Sequence, residues 1–185
     1  MEMLNELDEI LVSQDNLAAR NRELGLEISR YYEGGEITVV AIINGALFFT
    51  ADLLRHLEIP IRLDCTRISS YRNETRSLGE PEILYNITLE IENRHVLIID
   101  DILDTGKTLS KITDIFHKQS PKSIKTCVLL EKMGRREIPF EADFIGFKIP
   151  EKFVVGYGLD FAERYRNLPC IGTLKPEFQN PPEWT

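Results

Sequence analysis

Asp100, Asp101 and Asp104 fall within five residues and are followed at once by Thr105, Gly106, Lys107 and Thr108. An apolar run, 96–99, leads into this segment, and a helical stripe of Leu109, Ile112 and Phe116 leads out of it. The first amides of a helix have no intrahelical partner, and together with the helix dipole they favour a phosphate monoester at 105–108. Asp100 and Asp101 can accept hydrogen bonds from a ribose diol or hold Mg²⁺ through water. Asp104 lies between the phosphate and sugar positions, where it suits proton transfer or the stabilisation of positive charge. Gly106-Lys107-Thr108 also ends a P-loop, but that motif needs glycine where Asp101 stands, and three carboxylates would repel a triphosphate. A receiver domain pairs aspartates too, yet it needs a further Asp closing a later strand, and Asp143 opens an apolar run instead.

These residues need a frame. Ser13 caps a helix carrying Leu17, Leu24, Ile28 and Tyr31 at helical spacing, ended by Gly34 and Gly35. Residues 37–43 form a Val- and Ile-rich buried strand, Asn44-Gly45 a turn, and 46–57 a helix with Leu47, Leu54 and Leu57 on its stripe. Residues 61–68 alternate like a strand, 69–79 are polar and aperiodic, and 83–89 form a strand beside the first. The strand 96–99 stops at the acidic loop, and after the next helix 124–130 is another buried strand. Strand, helix, strand twice over predicts crossover units and an α/β fold, a mainly parallel twisted sheet flanked by helices. Short apolar pieces at 144–147, 153–156 and 170–174 complete the sheet or build a small hood subdomain.

The chain has 185 residues, which predicts a single domain over 1–185. With 22 basic against 30 acidic residues its net charge is -8, which argues against nucleic acid or an anionic membrane as partner. No apolar run approaches the roughly 18 residues of a membrane span. The acidic start lacks a signal peptide, and Cys65, Cys127 and Cys170 form no CxxC pair; the expected place is the cytoplasm. His56, His95 and His117 are scattered and make no metal site.

The order apolar strand, two acidic residues, two apolar residues, Asp-Thr-Gly-Lys-Thr closely resembles the phosphoribosyl-pyrophosphate signature of type I phosphoribosyltransferases. Ser69-Ser70-Tyr71 resembles the start of that family's mobile catalytic loop. Lys132 after the strand 124–130, the run Phe153-Val154-Val155-Gly156-Tyr157-Gly158-Leu159-Asp160, and Arg166 beyond it are similar to hypoxanthine-guanine phosphoribosyltransferases. The likeness runs from about Val39 to Leu174 with its motifs in family order.

The resemblance implies a role for each matching residue. Asp100 and Asp101 contact the ribose hydroxyls and Mg²⁺, Asp104 is catalytic and takes or shares the proton on purine N7, and Asp104 to Thr108 wrap the 5′-phosphate. Lys132 donates to the purine 6-oxygen, Phe153 stacks on the base, and the carbonyls of Val154 and Asp160 face its 2-position. The Asp160 carboxylate reaches a second Mg²⁺ through water. Asn44, Gly45 and Arg166 meet pyrophosphate, with a strained, inward-turned backbone at Ile43-Asn44 for which a non-proline cis peptide is a candidate form. Many relatives carry Lys or Arg at position 44, so Asn44 departs from the pattern and its side chain supplies no charge. Ser70 and Tyr71 belong to a lid, and the hood is built from the N- and C-terminal segments. Taken singly, Phe153 also reads as core, Lys132 as a solvated cation, Arg166 as a helix-face ion pair and Asp160 as a turn residue.

The implied activity is purine salvage: hypoxanthine or guanine plus phosphoribosyl pyrophosphate gives IMP or GMP and pyrophosphate, in a homodimer or homotetramer. The alternative is a nucleotide-sensing, RNA-binding regulator of the same fold, against which the charge and the set Asp104, Lys132 and Arg166 both speak. An adenine or xanthine enzyme would differ only in the base pocket.

Overall fold

The apolar runs that read as strands lie side by side in the computed structural model, which describes residues 2–69 and 82–180. After a short 3₁₀ turn at Glu2–Glu6, the elements are β1 (Leu7–Val12), α1 (Gln14–Tyr32), β2 (Ile37–Ile43), α2 (Leu47–Leu54), β3 (Ile61–Ser69) and β4 (Glu82–Tyr85). Then come β5 (His95–Leu103), α3 (Lys107–His117), β6 (Ser123–Lys132), β7 (Phe144–Ile149) and β8 (Ile171–Leu174). The main sheet has the order β4-β3-β2-β5-β6-β7. Five of its strands are parallel, and β4 runs antiparallel to β3.

The continuous apolar runs follow from burial on both faces. Val39, Leu97, Ile99 and Leu129 pack under α1 and α2 with Leu17, Leu24, Ile28, Phe49 and Leu53. Their neighbours Val40, Ile42, Val96, Ile98 and Val128 pack on the other face under Leu109, Ile112 and Phe116 of α3. Alternate side chains of one strand thus feed two cores. Arg20 of α1 covers the edge strand β7, donating from Nε to the Gly146 carbonyl (3.1 Å) and from Nη2 to that of Ile145 (2.8 Å). Unpaired edge carbonyls are otherwise open to another strand.

Ser13 caps α1 as its position predicts, its hydroxyl accepting from the Asn16 amide at 3.3 Å. Two stripes differ from the sequence reading. Tyr31 is 53% exposed while Tyr32 is buried, and Leu47 is 53% exposed while Phe49 and Leu53 are buried. The rest of the α1 stripe, Leu17, Leu24 and Ile28, is buried as read, so the difference in each helix is confined to these positions. Strand β5 also runs further than its apolar run. Its ladder with β2 ends at Ala41↔Ile99, but β6 continues to pair it through Asp100↔Val128, Ile102↔Leu130 and Leu103↔Glu131. Asp100 and Asp101 therefore sit on strand, not loop, with the edge toward β2 released.

The two chain ends meet. β1 pairs antiparallel with β8 in a separate two-stranded sheet, joined by a Val155–Gly172 bridge. Its small core contains Leu7, Val155, Tyr165, Leu168, Cys170 and Leu174. Among the described residues no helix is long and apolar enough to cross a membrane.

Asp64 of β3 fastens the segment that returns from β4. Its carboxylate accepts from the amides of Cys65 (2.8 Å), Thr88 (2.6 Å) and Leu89 (2.9 Å) and from the Thr88 hydroxyl (3.1 Å). Burial alone would raise its pKa, but the amides of Leu89, Thr88 and Cys65 and the Thr88 hydroxyl hold it below the ordinary aspartate value. A depressed folded pKa gives stability that is present above the unfolded value of about 3.9 and lost as pH falls through the folded one. Asp64→Asn is therefore expected to lower Tm at neutral pH, with the gap closing in acid. A gap that stays constant from neutral pH down through that window overturns this role.

Candidate active site

Going along the chain, β2 is followed by β3 on one side of it, whereas β5 returns to its other side and continues into β6 and β7. This reversal is a topological switch point, and the crevice beyond its carboxyl ends is where open α/β sheets bind ligands. The carboxyl ends of β2 and β5 carry Ile43, Asn44, Gly45 and Asp100 to Asp104 respectively.

The two loops touch there. A Cβ on Gly45 would lie 1.7 Å from Asp101 Oδ2, and a Cβ on Gly158 would lie 2.0 Å from the Gly45 carbonyl. Three segments far apart in sequence thus stack at van der Waals distance, which only glycine permits. The Ile43–Asn44 peptide is cis. Asn44 is exposed, and its carbonyl accepts from the Leu47 amide at 3.1 Å. Asp100 is buried, and its Oδ1 accepts from the Asp101 amide at 3.0 Å. Gly45→Ala is expected to displace the Asp101 carboxylate and lower turnover about 10²-fold, the usual scale of a 1 Å misplacement. Unchanged kinetics with Asp101 in place in a crystal structure would remove Gly45 from the site.

Asp104 lies at the centre. Its Oδ2 is 3.7 Å from Lys132 Nζ and 3.9 Å from Arg135 Nη1, while Oδ1 is buried without a hydrogen-bond partner among the described residues. A buried carboxylate oxygen left unbonded is costly, and it is an acceptor ready for a ligand's proton. Lys132 is itself buried, held at the end of β6. The same strand end that supplies Lys132 is paired to β5 up to Leu103↔Glu131, which brings Lys132 beside Asp104. Immediately after Asp104, α3 starts from Gly106 in the left-handed conformation (φ 86°), with Thr105 and Lys107 in its first turn region. The Thr105 hydroxyl accepts from the Lys107 amide at 3.4 Å, and Lys107 pairs with Glu137.

On the other wall Phe153 is 50% exposed, edge-to-face with Phe161 at 5.6 Å between centroids. It is not core, and a ligand ring has access to it. Val154 is buried. Arg166 does not lie on a helix. Its Nη2 meets Asp160 Oδ1 at 3.1 Å and Glu163 Oε2 at 3.0 Å, and its Nη1 donates to the Gly158 carbonyl at 2.8 Å. Asp160 in turn accepts from the Glu163 amide at 3.0 Å. The guanidinium is thereby fixed against the Gly45–Gly158 stack. Ser70 and Tyr71 lie outside the described residues.

Three contributors escape a reading of the sequence. Tyr157 donates to Asp52 Oδ2 (2.6 Å) and accepts from Asn21 Nδ2 (2.8 Å), tying the 153–160 loop to α2 and α1. Burial and the Asp52 carboxylate push its hydroxyl well above the ordinary pKa, so it remains a neutral donor. Arg135 and Arg136 stand in a charged run without periodicity; their only signal is a place three and four residues after Lys132.

Residues 9–162 match the family described as phosphoribosyl transferase domain. The chain is similar to a bifunctional TilS/HprT protein of Listeria innocua, 46% identical over 175 residues, covering 95% of this chain but 27% of that one. It thus spans about a quarter of the length of that relative. It is 42% identical over 174 residues to a hypoxanthine-guanine phosphoribosyltransferase of Bacillus subtilis, covering 94% and 97% of the two chains. A crystal structure of a hypoxanthine phosphoribosyltransferase from Staphylococcus aureus superposes with a TM-score of 0.92 at 41% identity, covering 98% of each chain.

Proposed function

This chain belongs to the phosphoribosyl transferase family, and from that premise we propose that it transfers the 5-phosphoribosyl group of phosphoribosyl pyrophosphate to N9 of hypoxanthine or guanine. The products are IMP or GMP and pyrophosphate, and the role is purine salvage. The observation that carries the reading is Asp104, its Oδ1 unbonded and its Oδ2 3.7 Å from Lys132, directly before the α3 start. A hydrogen-bond acceptor and a buried ammonium beside a phosphate site suit the N7–H and the 6-oxygen of a free oxopurine base.

The base lies on Phe153, with Lys132 donating to its 6-oxygen and the carbonyls of Val154 and Asp160 at its 2-position. The amides of 105–108 hold the 5′-phosphate, and Asp100 and Asp101 accept from the ribose hydroxyls. The N9 lone pair attacks C1′ as the bond from C1′ to the pyrophosphate oxygen breaks. The base sheds its N7 proton to the Asp104 carboxylate. Arg166 and the amides around Gly45 receive the leaving pyrophosphate, and the 69–79 segment serves as the lid that keeps water from C1′.

Two adjacent carboxylates with oxygen donors fit Mg²⁺, which takes one or two protein carboxylates together with substrate oxygens. Asp100 and Asp101 would hold it, with Asp160 reaching a second ion through water; bound, it neutralises pyrophosphate charge. The small sheet of β1 and β8 would act as the hood over the base. A homodimer or homotetramer and a cytoplasmic place accompany this reading. The RNA-binding regulator is not favoured, since the relatives' names are those of transferases.

The test is direct. The purified chain with Mg²⁺, phosphoribosyl pyrophosphate and hypoxanthine should form IMP at about 1–10³ s⁻¹, the ordinary range for an enzyme. No IMP or GMP from either base would sink the proposal.

A further inference from the structure

The arm that follows β6 turns back over the start of α3 and takes hold of its backbone. Arg136 Nη1 donates to the Asp104 carbonyl at 2.6 Å, while its Nη2 meets Glu131 Oε1 at 2.9 Å. Glu131 is buried at the end of β6, and its other oxygen is 3.5 Å from Lys148 Nζ. The next carbonyl, that of Thr105, accepts from the amides of Glu137 (3.0 Å) and Ile138 (3.1 Å). A Cβ on Gly106 would lie 2.8 Å from the Ile138 carbonyl and 3.3 Å from Arg136 Cδ, so the two segments are in full contact.

These bonds have a directional consequence. In a planar trans peptide the carbonyl and the following N–H point opposite ways. Fastening the Asp104 carbonyl to Arg136 turns the Thr105 N–H away from the arm. Fastening the Thr105 carbonyl does the same for the Gly106 N–H. Arg136 holds the first of these peptides, and that peptide also carries the Cα of Asp104, whose carboxylate faces Lys132. Glu131 and Lys132 are consecutive, so one strand end holds Asp104 twice: Lys132 faces its side chain, and Glu131 acts on its carbonyl through Arg136.

We propose that Arg136, anchored by Glu131, is a positioning residue that sets the amide direction of the 104–108 loop and the aim of the Asp104 carboxylate. This deepens the phosphoribosyl-transfer reading and rests on it. Arg136 has no contact with pyrophosphate in this scheme, so its removal separates the two anion sites.

The experiment compares binding of IMP and of magnesium pyrophosphate to wild type, Arg136→Ala and Arg136→Lys by calorimetry, alongside turnover. Arg136→Ala is expected to weaken IMP about 10- to 100-fold and to lower kcat, the scale of a misplaced positioning group. Pyrophosphate affinity should stay within about threefold of wild type, under 1 kcal/mol. Arg136→Lys keeps the charge but cannot span two acceptors with a planar fork, and it is expected to behave like Arg136→Ala. Unchanged IMP affinity, or equal losses for IMP and pyrophosphate, overturns the proposal. So does full recovery by lysine, which would assign the effect to charge alone. Should Arg136→Ala fail to fold, the Arg136→Lys pair of affinities decides by the same criteria. A wild-type chain that neither binds IMP nor makes it from hypoxanthine sinks the functional reading itself, a result visible before any variant is examined.

Discussion

Asp104→Asn folds like the parent chain and loses about 10²- to 10⁴-fold in turnover, the usual worth of a positioned general base. The substitution keeps the size of the side chain and leaves the carbonyl that Arg136 holds untouched. It removes the negative charge facing Lys132 and Arg135 and the capacity of the buried Oδ1 to take a proton. Asn can still accept one hydrogen bond, so binding of the base should suffer less than the chemical step. The expected pattern is therefore a large fall in kcat with a modest change in KM. Steady-state kinetics together with a thermal melt test this. Turnover within about threefold of wild type, at unchanged Tm, removes Asp104 from the mechanism.

Base choice carries the other large effect. Lys132 has three donors and no acceptor, so its partner on the purine must accept. The 6-oxygen of hypoxanthine or guanine does so, whereas adenine presents an amino group there. Lys132 is buried, and water cannot repair the mismatch. Leaving buried polar groups unpaired rejects the wrong substrate by about 10⁴ or more. At the 2-position, carbonyls would accept from guanine's amino group, tolerate hypoxanthine's hydrogen and repel xanthine's oxygen. Hypoxanthine and guanine should be used, xanthine poorly, and adenine not measurably. In Lys132→Gln the amide can rotate to offer either a donor or an acceptor, so the gap between hypoxanthine and adenine should narrow. Adenine turnover within about tenfold of hypoxanthine in the wild type would falsify this pocket.

Much of the frame is local and hence legible along the chain. Ser13 can cap because its hydroxyl needs only an amide three residues on. The runs 37–43 and 96–99 read as strands because both faces of a covered parallel sheet demand apolar side chains. The start of α3 reads as a candidate phosphate site because the amides it offers come from consecutive residues. Where the reading slipped, the deciding partner was elsewhere: Tyr31 and Tyr32 are equivalent until Phe144, Lys125 and His95 lie beside them. The extension of β5 through Asp100 and Asp101 likewise depends on a β6 long enough to pair with it.

Residue type and spacing thus determined the buried strands at 37–43, 96–99 and 124–130, the Ser13 cap and the order of the motifs, all set by interactions a few residues long. Tertiary structure alone decided which of those motifs share a site. Gly45, Asp101 and Gly158 meet because strand order reverses between β2 and β5, and Lys132 reaches Asp104 because β5 and β6 pair in one register and not the next. Arg136 looks like any charged loop residue until its arm is folded over the Asp104 carbonyl. β1 and β8 find each other only when both chain ends reach the same side of the core. Such contacts depend on topology and register, where a slip of one residue turns every side chain to the opposite face, and no local pattern of residues records that choice.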